Sequence, residues 1–194
     1  DAVGRIGDAL TKFDVEPDIV VNNAGFGLVG AAAEIDHAEQ LGMIDLNIRA
    51  LTDLSLAFVE SLQRHHGGIL NVASVAGFLP GPGMAVYYAS KAYVLSFSEA
   101  LHHELAPRGV RVTALCPGPV PSEFQARAGV RTERYSPLVT QSAERVAEDG
   151  YRGLRAGRRL VVPGRGNKFI IMLLRLMPRR LALAAADRRM RRRR

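Results

Sequence analysis

The apolar residues of the chain follow two patterns, short continuous runs and longer stretches with helical periodicity. Four apolar runs end at small or polar residues, as buried strands of a parallel sheet do, at positions 18–22, 68–74, 110–116 and 159–163. Stretches with a helical period predict helices at positions 1–12, 38–62, 87–105 and 142–154. Strands that alternate with helices predict an α/β fold, with a doubly wound parallel sheet covered on both faces.

Small and polar residues follow these predicted strands. They lie at positions 22–25, at Ser74 and at positions 116–118, and Tyr87 begins the helix that follows the second strand. In open parallel sheets, ligands bind beyond the carboxyl ends of the strands. The sequence therefore predicts a binding site at this edge of the sheet.

Tyr87 and Lys91 are the first candidate catalytic pair. They are four residues apart at the start of a predicted helix, so they share one face of it. A free phenol has a pKa of about 10, which is too high for efficient proton exchange at neutral pH. An ammonium group one turn away favours the phenolate and lowers that pKa. The same spacing, taken alone, is also common in surface pairs.

Ser74 and Asn47 are two further candidates. Ser74 ends a predicted strand, where its hydroxyl can hold a carbonyl or alcohol oxygen. Asn47 falls inside a predicted helix, although asparagine is a poor helix former, and its side chain can hold a water molecule next to the lysine. The alternatives are a helix cap for Ser74 and a solvated helix residue for Asn47. The joint occurrence of all four residues at these positions favours a catalytic site.

These residues and their neighbours resemble the motif set of the short-chain dehydrogenases/reductases. The matching motifs are Asn22-Asn23-Ala24-Gly25, Asn47, Ser74, Tyr87-Tyr88-Ala89-Ser90-Lys91 and Pro117-Gly118-Pro119-Val120. The resemblance runs from position 1 to about position 163. It implies a Rossmann-like doubly wound sheet whose N-terminal strands, with the family's glycine-rich phosphate-binding turn, are missing from this chain.

The resemblance also implies a role for each residue. Tyr87 would be the general acid/base, Ser74 would orient the substrate oxygen, and Asn47 would position a relay water. Lys91 would lower the tyrosine pKa and bind the nicotinamide ribose. The implied cofactor contacts come from three loops and the helix: Asn23, Ala24, Gly25, Tyr87, Lys91, Pro117, Gly118, Val120 and Ser122. Ser122 stands where the family often has threonine.

The cofactor implied is NADP or NAD, with NADP favoured. The sequence does not decide this choice, because its determinants lie in the part of the fold that is missing. Gly25-Phe26-Gly27-Leu28-Val29-Gly30 matches the spacing of a dinucleotide fingerprint. We expect no helix directly after it, however, and Asp45 sits in a helical stretch rather than at the end of a second strand, so we do not interpret it as one. With the first strands missing, Val20 and Val21 should form an exposed edge strand, and the isolated fragment should be inactive.

Composition and charge narrow the classes of function that the chain can have. The formal charge is +7, but positions 175–194 hold nine arginines and one aspartate, which leaves 17 basic and 18 acidic residues before them. The body has no basic excess of the kind a nucleic-acid binder carries, so we expect no nucleic-acid partner. The single cysteine, Cys116, excludes an internal disulfide and is consistent with the cytoplasm. The histidines lack a metal-ligand spacing, so no metal site is expected.

The chain divides into a catalytic domain at positions 1–165 and a hydrophobic, then arginine-rich tail at positions 166–194. Arg175 and Pro178 interrupt the apolar run of the tail, which is too short to span a membrane. One interpretation is a helix that caps the substrate pocket or an oligomer contact. The other is an amphipathic segment, residues 169–194, on the inner face of an anionic membrane. A lipid-like substrate would suit the second interpretation, as would the apolar Phe78, Leu79 and Met84.

We therefore predict an oxidoreductase that transfers a hydride between NAD(P) and a small-molecule carbonyl/alcohol substrate, and that forms a homo-oligomer. Two alternatives stay open. One is an epimerase or isomerase that uses the same Tyr-Lys pair. The other is a non-catalytic, membrane-associated or scaffolding protein that retains the fold.

Overall fold

A computed structural model of the chain describes residues 2–129 and 136–178, and residues 180, 181, 183, 184, 186 and 188 of the tail. The arginine-rich end predicted for the tail lies largely outside the described residues. The strands are β1 (Ile19–Asn22), β2 (Gly68–Val72), β3 (Arg111–Leu115) and β4 (Leu160–Val161). The α-helices are α1 (Ala2–Lys12), α2 (His37–Ile44), α3 (Leu51–Ala57), α4 (Val59–Arg64), α5 (Ala85–Leu105), α6 (Glu123–Ala128), α7 (Ala143–Arg155) and α8 (Arg165–Leu176).

The four strands form one parallel sheet in the order β1-β2-β3-β4, which confirms the predicted α/β class. Neighbouring residues of β2 point to opposite faces, as the period of a strand requires. Ile69 packs with residues of α4 and α5 on one face, while Leu70 packs with Val146 and Leu154 of α7 on the other. The sheet is therefore the middle layer of an α/β/α arrangement, and its near-continuous apolar strands are those expected between two helical layers.

The helix predicted at positions 38–62 is wrong as a single element. Its span is divided into α2, a π-helical turn (Asp45–Ala50), α3 and α4, with a break at Phe58. A π-helical turn contains an extra residue per turn and re-aims its side chains, and such turns are frequent at functional sites. The buried Asn47 lies in this turn, so the irregularity serves the position of that side chain.

β1 is the edge of the sheet as far as the described residues extend. Its only strand partner there is β2, and Val21 has 54% of its surface exposed. This confirms the exposure expected at Val21, whereas Val20 is partly buried against the core cluster that contains Ile69. α1 contributes no buried residue, and its Ile6 is 39% exposed. None of the helices in the described part of the chain is long and apolar enough to cross a membrane.

Candidate active site

Asn47 is held by the loop that follows β1. Its Oδ1 accepts a hydrogen bond from the backbone N–H of Phe26 (3.1 Å), and its Nδ2 donates to the Phe26 carbonyl (2.9 Å) and to Ser90 Oγ (3.0 Å). The side chain is 1% exposed, so it is not the solvated helix residue of the alternative interpretation. Three hydrogen bonds in a buried position hold this amide in one orientation.

Lys91 is buried, which is unusual for a lysine. It is 5% exposed, and its Nζ donates to the Val72 carbonyl at the end of β2 (2.8 Å). Burial lowers the pKa of Lys91 to about 8, because the ammonium has lost most of its contact with water. A cation is therefore held inside the protein at the carboxyl end of the sheet.

Tyr87 and Lys91 lie on one face of α5, as their spacing predicts. Lys91 Nζ is 6.0 Å from the centre of the Tyr87 ring. The ring also lies against Phe124 of α6, with 5.3 Å between ring centres, and against Tyr88 at 6.0 Å. The positive charge is thus near the phenol, in the arrangement that favours its ionised form.

Ser74 lies two residues beyond β2 and begins a 3₁₀ turn (Val75–Phe78). Its Oγ accepts a hydrogen bond from the backbone N–H of Ala76 (3.1 Å), so the cap interpretation is correct for this hydroxyl. The side chain is half-buried, and its contact with a substrate oxygen stays a prediction. Cys116, one residue beyond β3, is buried. Burial raises the pKa of its thiol to about 12, and a hydrogen bond with the backbone of Ser74 opposes that rise.

The loop after β1 brings its backbone close to this cluster. Asn23 and Ala24 are exposed at the carboxyl edge of the sheet. A Cβ added at Gly25 would lie 2.9 Å from Asn47 Oδ1 and 3.4 Å from Lys91 Nζ, so only glycine allows the backbone so close to both groups. A bare backbone beside a buried cation fits the ribose and nicotinamide of a dinucleotide, and these residues are compatible with that cofactor.

The loop after β3 borders the same region. The Pro117 carbonyl accepts a hydrogen bond from the Val75 N–H, next to Ser74 (3.0 Å), and Gly118 packs against the buried Asn167 of α8. The Val120 carbonyl accepts a hydrogen bond from the Gln125 side chain. Ser122 caps α6, and its hydroxyl is hydrogen-bonded to Gln125 Oε1 (3.1 Å). The assigned cofactor contacts of these residues stay predictions.

The segment at positions 25–30, which matches the spacing of a dinucleotide fingerprint, is a loop. The next helix begins at His37. Asp45 lies in the π-helical turn. The structure also brings to the site three residues whose function was not predicted from the sequence: Phe26, which is hydrogen-bonded to Asn47; Ser90, which is hydrogen-bonded to Asn47 from α5; and Phe124, which packs against Tyr87. Ser90 was visible inside the Tyr-Lys motif, whereas Phe26 and Phe124 carry no sequence signal of this kind.

Two other features lie away from these residues. A cavity of about 900 Å³ opens between α7, β4 and α8, and none of the four candidate catalytic residues lines it. His102 Nδ1 is 2.7 Å from the Val112 carbonyl, and His65 lies against Glu16. Within residues 2–129 and 136–178, no group of three or more His, Cys, Asp or Glu side chains is placed to hold a metal ion.

Comparison with known proteins adds a second line of observation. A family model described as short chain dehydrogenase matches residues 2–132. Sulfoacetaldehyde reductase 2 of Chromohalobacter salexigens is 40% identical over 126 residues, which are 63% of this chain and 50% of that protein. The chain spans about half the length of the curated relatives it matches.

Two solved structures resemble the fold. A short-chain dehydrogenase from Sphingobium yanoikuyae in complex with NADPH is 32% identical, with a TM-score of 0.68, over 75% of this chain and 56% of that one. A 3-ketoacyl-(acyl-carrier-protein) reductase from Brucella melitensis complexed with NADH is 28% identical, with a TM-score of 0.73, over 85% of this chain and 73% of that one.

Proposed function

Because the chain belongs to the short-chain dehydrogenase/reductase family, we propose that the protein transfers a hydride between NAD(P) and a carbonyl/alcohol substrate. The observation that carries this proposal is the buried Lys91 ammonium beside Tyr87, with the immobilised Asn47 next to it. Buried cations are costly, so they are retained where the charge is used.

Each residue of the site has one task in this proposal. In the reducing direction the Tyr87 hydroxyl gives its proton to the carbonyl oxygen while the carbonyl carbon receives the hydride, and the alcohol formed carries both. Lys91 stabilises the phenolate that remains, and Asn47 holds the water through which the proton is replaced. The Ser74 hydroxyl holds the substrate oxygen. A bound nicotinamide supplies or accepts the hydride.

Of the two nicotinamide dinucleotides we propose NADP. The support is the bound NADPH of the Sphingobium dehydrogenase, which is 32% identical to this chain. The residues proposed to contact the cofactor in this chain are Asn23, Ala24 and Gly25 after β1, Tyr87 and Lys91 on α5, and Pro117, Gly118, Val120 and Ser122 after β3.

The test is oxidation of NADPH and NADH by the natural full-length protein with a panel of aldehydes and ketones, repeated with Tyr87→Phe. General acid catalysis contributes roughly 10²–10⁴ in rate, so the variant should lose at least about 100-fold in kcat. Tyr88→Phe is the matched control, because Tyr88 is adjacent on α5 and is not proposed to transfer the proton. We expect it to retain activity within about threefold. Equal activity of Tyr87→Phe and the wild type would overturn the assignment.

We further propose that the tail places the protein on an anionic membrane surface. The support is the exposure of apolar side chains on α8, where Phe169 is 61% and Leu176 is 80% exposed, next to an arginine-rich end. The opposite side of α8 packs on the body through the buried Asn167 and Ile171. A lipid-like substrate would agree with this location, although Phe78 packs against the core and Met84 is buried.

A further inference from the structure

The short helix α6 packs against Tyr87 through the Phe124 ring. It begins at the Ser122–Gln125 capping box and ends at Gly129, whose φ of +71° is the left-handed conformation that glycine adopts easily. The Val29 N–H donates to the Ala128 carbonyl (3.2 Å), which ties the end of α6 to the loop after β1. α6 and that loop therefore keep a defined position relative to each other.

Two side chains of α6 lie on the face toward this loop, three residues apart. Phe124 packs against the Tyr87 ring, and the Arg127 guanidinium lies over the Phe26 ring, 4.5 Å from its centre. A Cβ added at Gly27, between them, would lie 3.0 Å from both the Phe124 and the Tyr87 rings. Arg127 thus lies over the loop residue next to Gly27, and the Phe124 and Tyr87 rings lie close to Gly27 itself.

The support beneath Arg127 is rigid. Phe26, on which the guanidinium is stacked, is hydrogen-bonded through both its N–H and its carbonyl to Asn47. The position of the cation is consequently coupled to the same asparagine that we place in the proton path. A stacked guanidinium keeps its edge N–H donors free to bind another group.

Arg127 makes no ion pair within the described part of the chain. Glu123 lies four residues before it on α6, the spacing at which such pairs form, yet the two do not pair. Elsewhere on the helices the corresponding pairs do form, as between Arg49 and Asp45 and between Arg145 and Asp149. The guanidinium lies over the Phe26 ring and does not pair with Glu123.

We propose that Arg127 binds an anionic group of the substrate, a carboxylate, phosphate or sulfonate, while Tyr87 holds its carbonyl oxygen. The planar donor edge of arginine matches the paired oxygens of these groups. The inference rests on the proposed function and narrows it, because the preferred substrates become carbonyl compounds with an acidic group at one end. Arg127 is then a specificity-determining residue, with no part in proton transfer.

The experiment uses the natural full-length protein and pairs of ω-oxo carboxylic acids and the corresponding amides, with one to five methylene groups. A hydrogen-bonded ion pair contributes about 1.5–3 kcal/mol, or about 10- to 150-fold in binding. Arg127→Gln should lower kcat/KM for the acids by that factor, mainly through KM, and leave the amides within about threefold. Arg127→Lys should recover part of the loss. Arg152→Gln, on α7 across the sheet, is the matched control and should change neither series.

Three results would overturn the inference. The first is an equal loss of kcat/KM on acids and amides in Arg127→Gln, which indicates a structural role. The second is a rise confined to the KM of NADPH, which assigns Arg127 to a cofactor phosphate. The third is a wild-type protein that shows no preference for acids over amides. Calorimetric binding of the matching ω-hydroxy acids to the complex of the protein with NADP⁺ gives the same comparison without turnover. Failure of the proposed function itself has a different signature, namely Tyr87→Phe equal to the wild type on both series.

Discussion

At the scale of single residues, burial decides what the charged and polar groups of the site can do. Lys91 carries its charge inside the protein at neutral pH, because its pKa, although lowered by burial, remains at about 8. Its ammonium donates one hydrogen bond to the Val72 carbonyl and has two further N–H donors for other partners. Asn47, by contrast, uses both N–H donors and one of the two acceptor sites of its Oδ1 on protein groups, so its orientation is fixed in advance and one acceptor site is left for the proposed relay water.

Substitution of Gly25 tests whether the Asn47 side chain is held in one position. In Gly25→Ala the added Cβ would lie 2.9 Å from Asn47 Oδ1, which its hydrogen bonds prevent from moving freely. We expect a loss of about 1–3 kcal/mol in the free energy of unfolding, as for other overpacked sites, and weaker binding of NADPH. Chemical denaturation and NADPH fluorescence titration measure the two effects.

Gly42→Ala is the control for Gly25→Ala. Gly42 lies inside α2, and a Cβ there meets nothing within 4 Å. Alanine should raise the free energy of unfolding by about 0.5–1 kcal/mol through its better helix propensity. A Gly25→Ala protein as stable and as ready to bind NADPH as the wild type would contradict the crowding argument.

At the scale of elements, hydrophobic periodicity predicted every strand and most of the helices, within about two residues for β2, β3 and α5. It missed the π-helical turn that divides the second helix, where Asn47 is hydrogen-bonded to Phe26, because contacts between residues far apart along the chain leave no periodic pattern in the sequence. It also missed α6, whose six residues are too few to show a period. Phe124 and Arg127 were invisible as site residues for this reason, whereas Tyr87, Lys91, Ser74 and Asn47 could be found from spacing and motif.

The apolar face of α8 carries a prediction of its own. If the tail binds an anionic membrane, the protein should sediment with vesicles that contain phosphatidylglycerol and much less with neutral phosphatidylcholine vesicles, and salt should weaken the binding. The double variant Phe169→Gln/Leu176→Gln should lose most of the binding, since it removes exposed apolar area without touching the packed side of α8. Phe13→Gln, which alters an equally exposed phenylalanine far along the chain, is the control. Unchanged sedimentation of the double variant would sink the membrane proposal.

At the scale of the whole molecule, the described residues form a sheet with helices on both faces and a cluster of polar residues at the carboxyl ends of its strands. A buried amide and hydroxyl network, Asn22 to Asn71 (2.8 Å) and Asn71 to Ser98 (3.0 Å), connects β1, β2 and α5 beneath that cluster. Ser55 of α3, the helix that follows the turn of Asn47, accepts a hydrogen bond from Asn22 Nδ2 (2.9 Å), so α3 is connected to the helix of Lys91 through the sheet. Such a scaffold suits a reaction in which a proton and a hydride must reach the two ends of one carbonyl bond.

The central claim is that a hydride passes between a nicotinamide and the substrate carbon. The most direct measurement is to supply the natural full-length protein with an active carbonyl substrate and NADPH deuterated at C4, and to examine the product by mass spectrometry and NMR. We predict one deuterium on the carbinol carbon of each product molecule formed, from NADPH labelled on one face of the ring only. A product of unchanged oxidation state, formed without net consumption of NADPH, would contradict the account and identify an epimerase or isomerase instead.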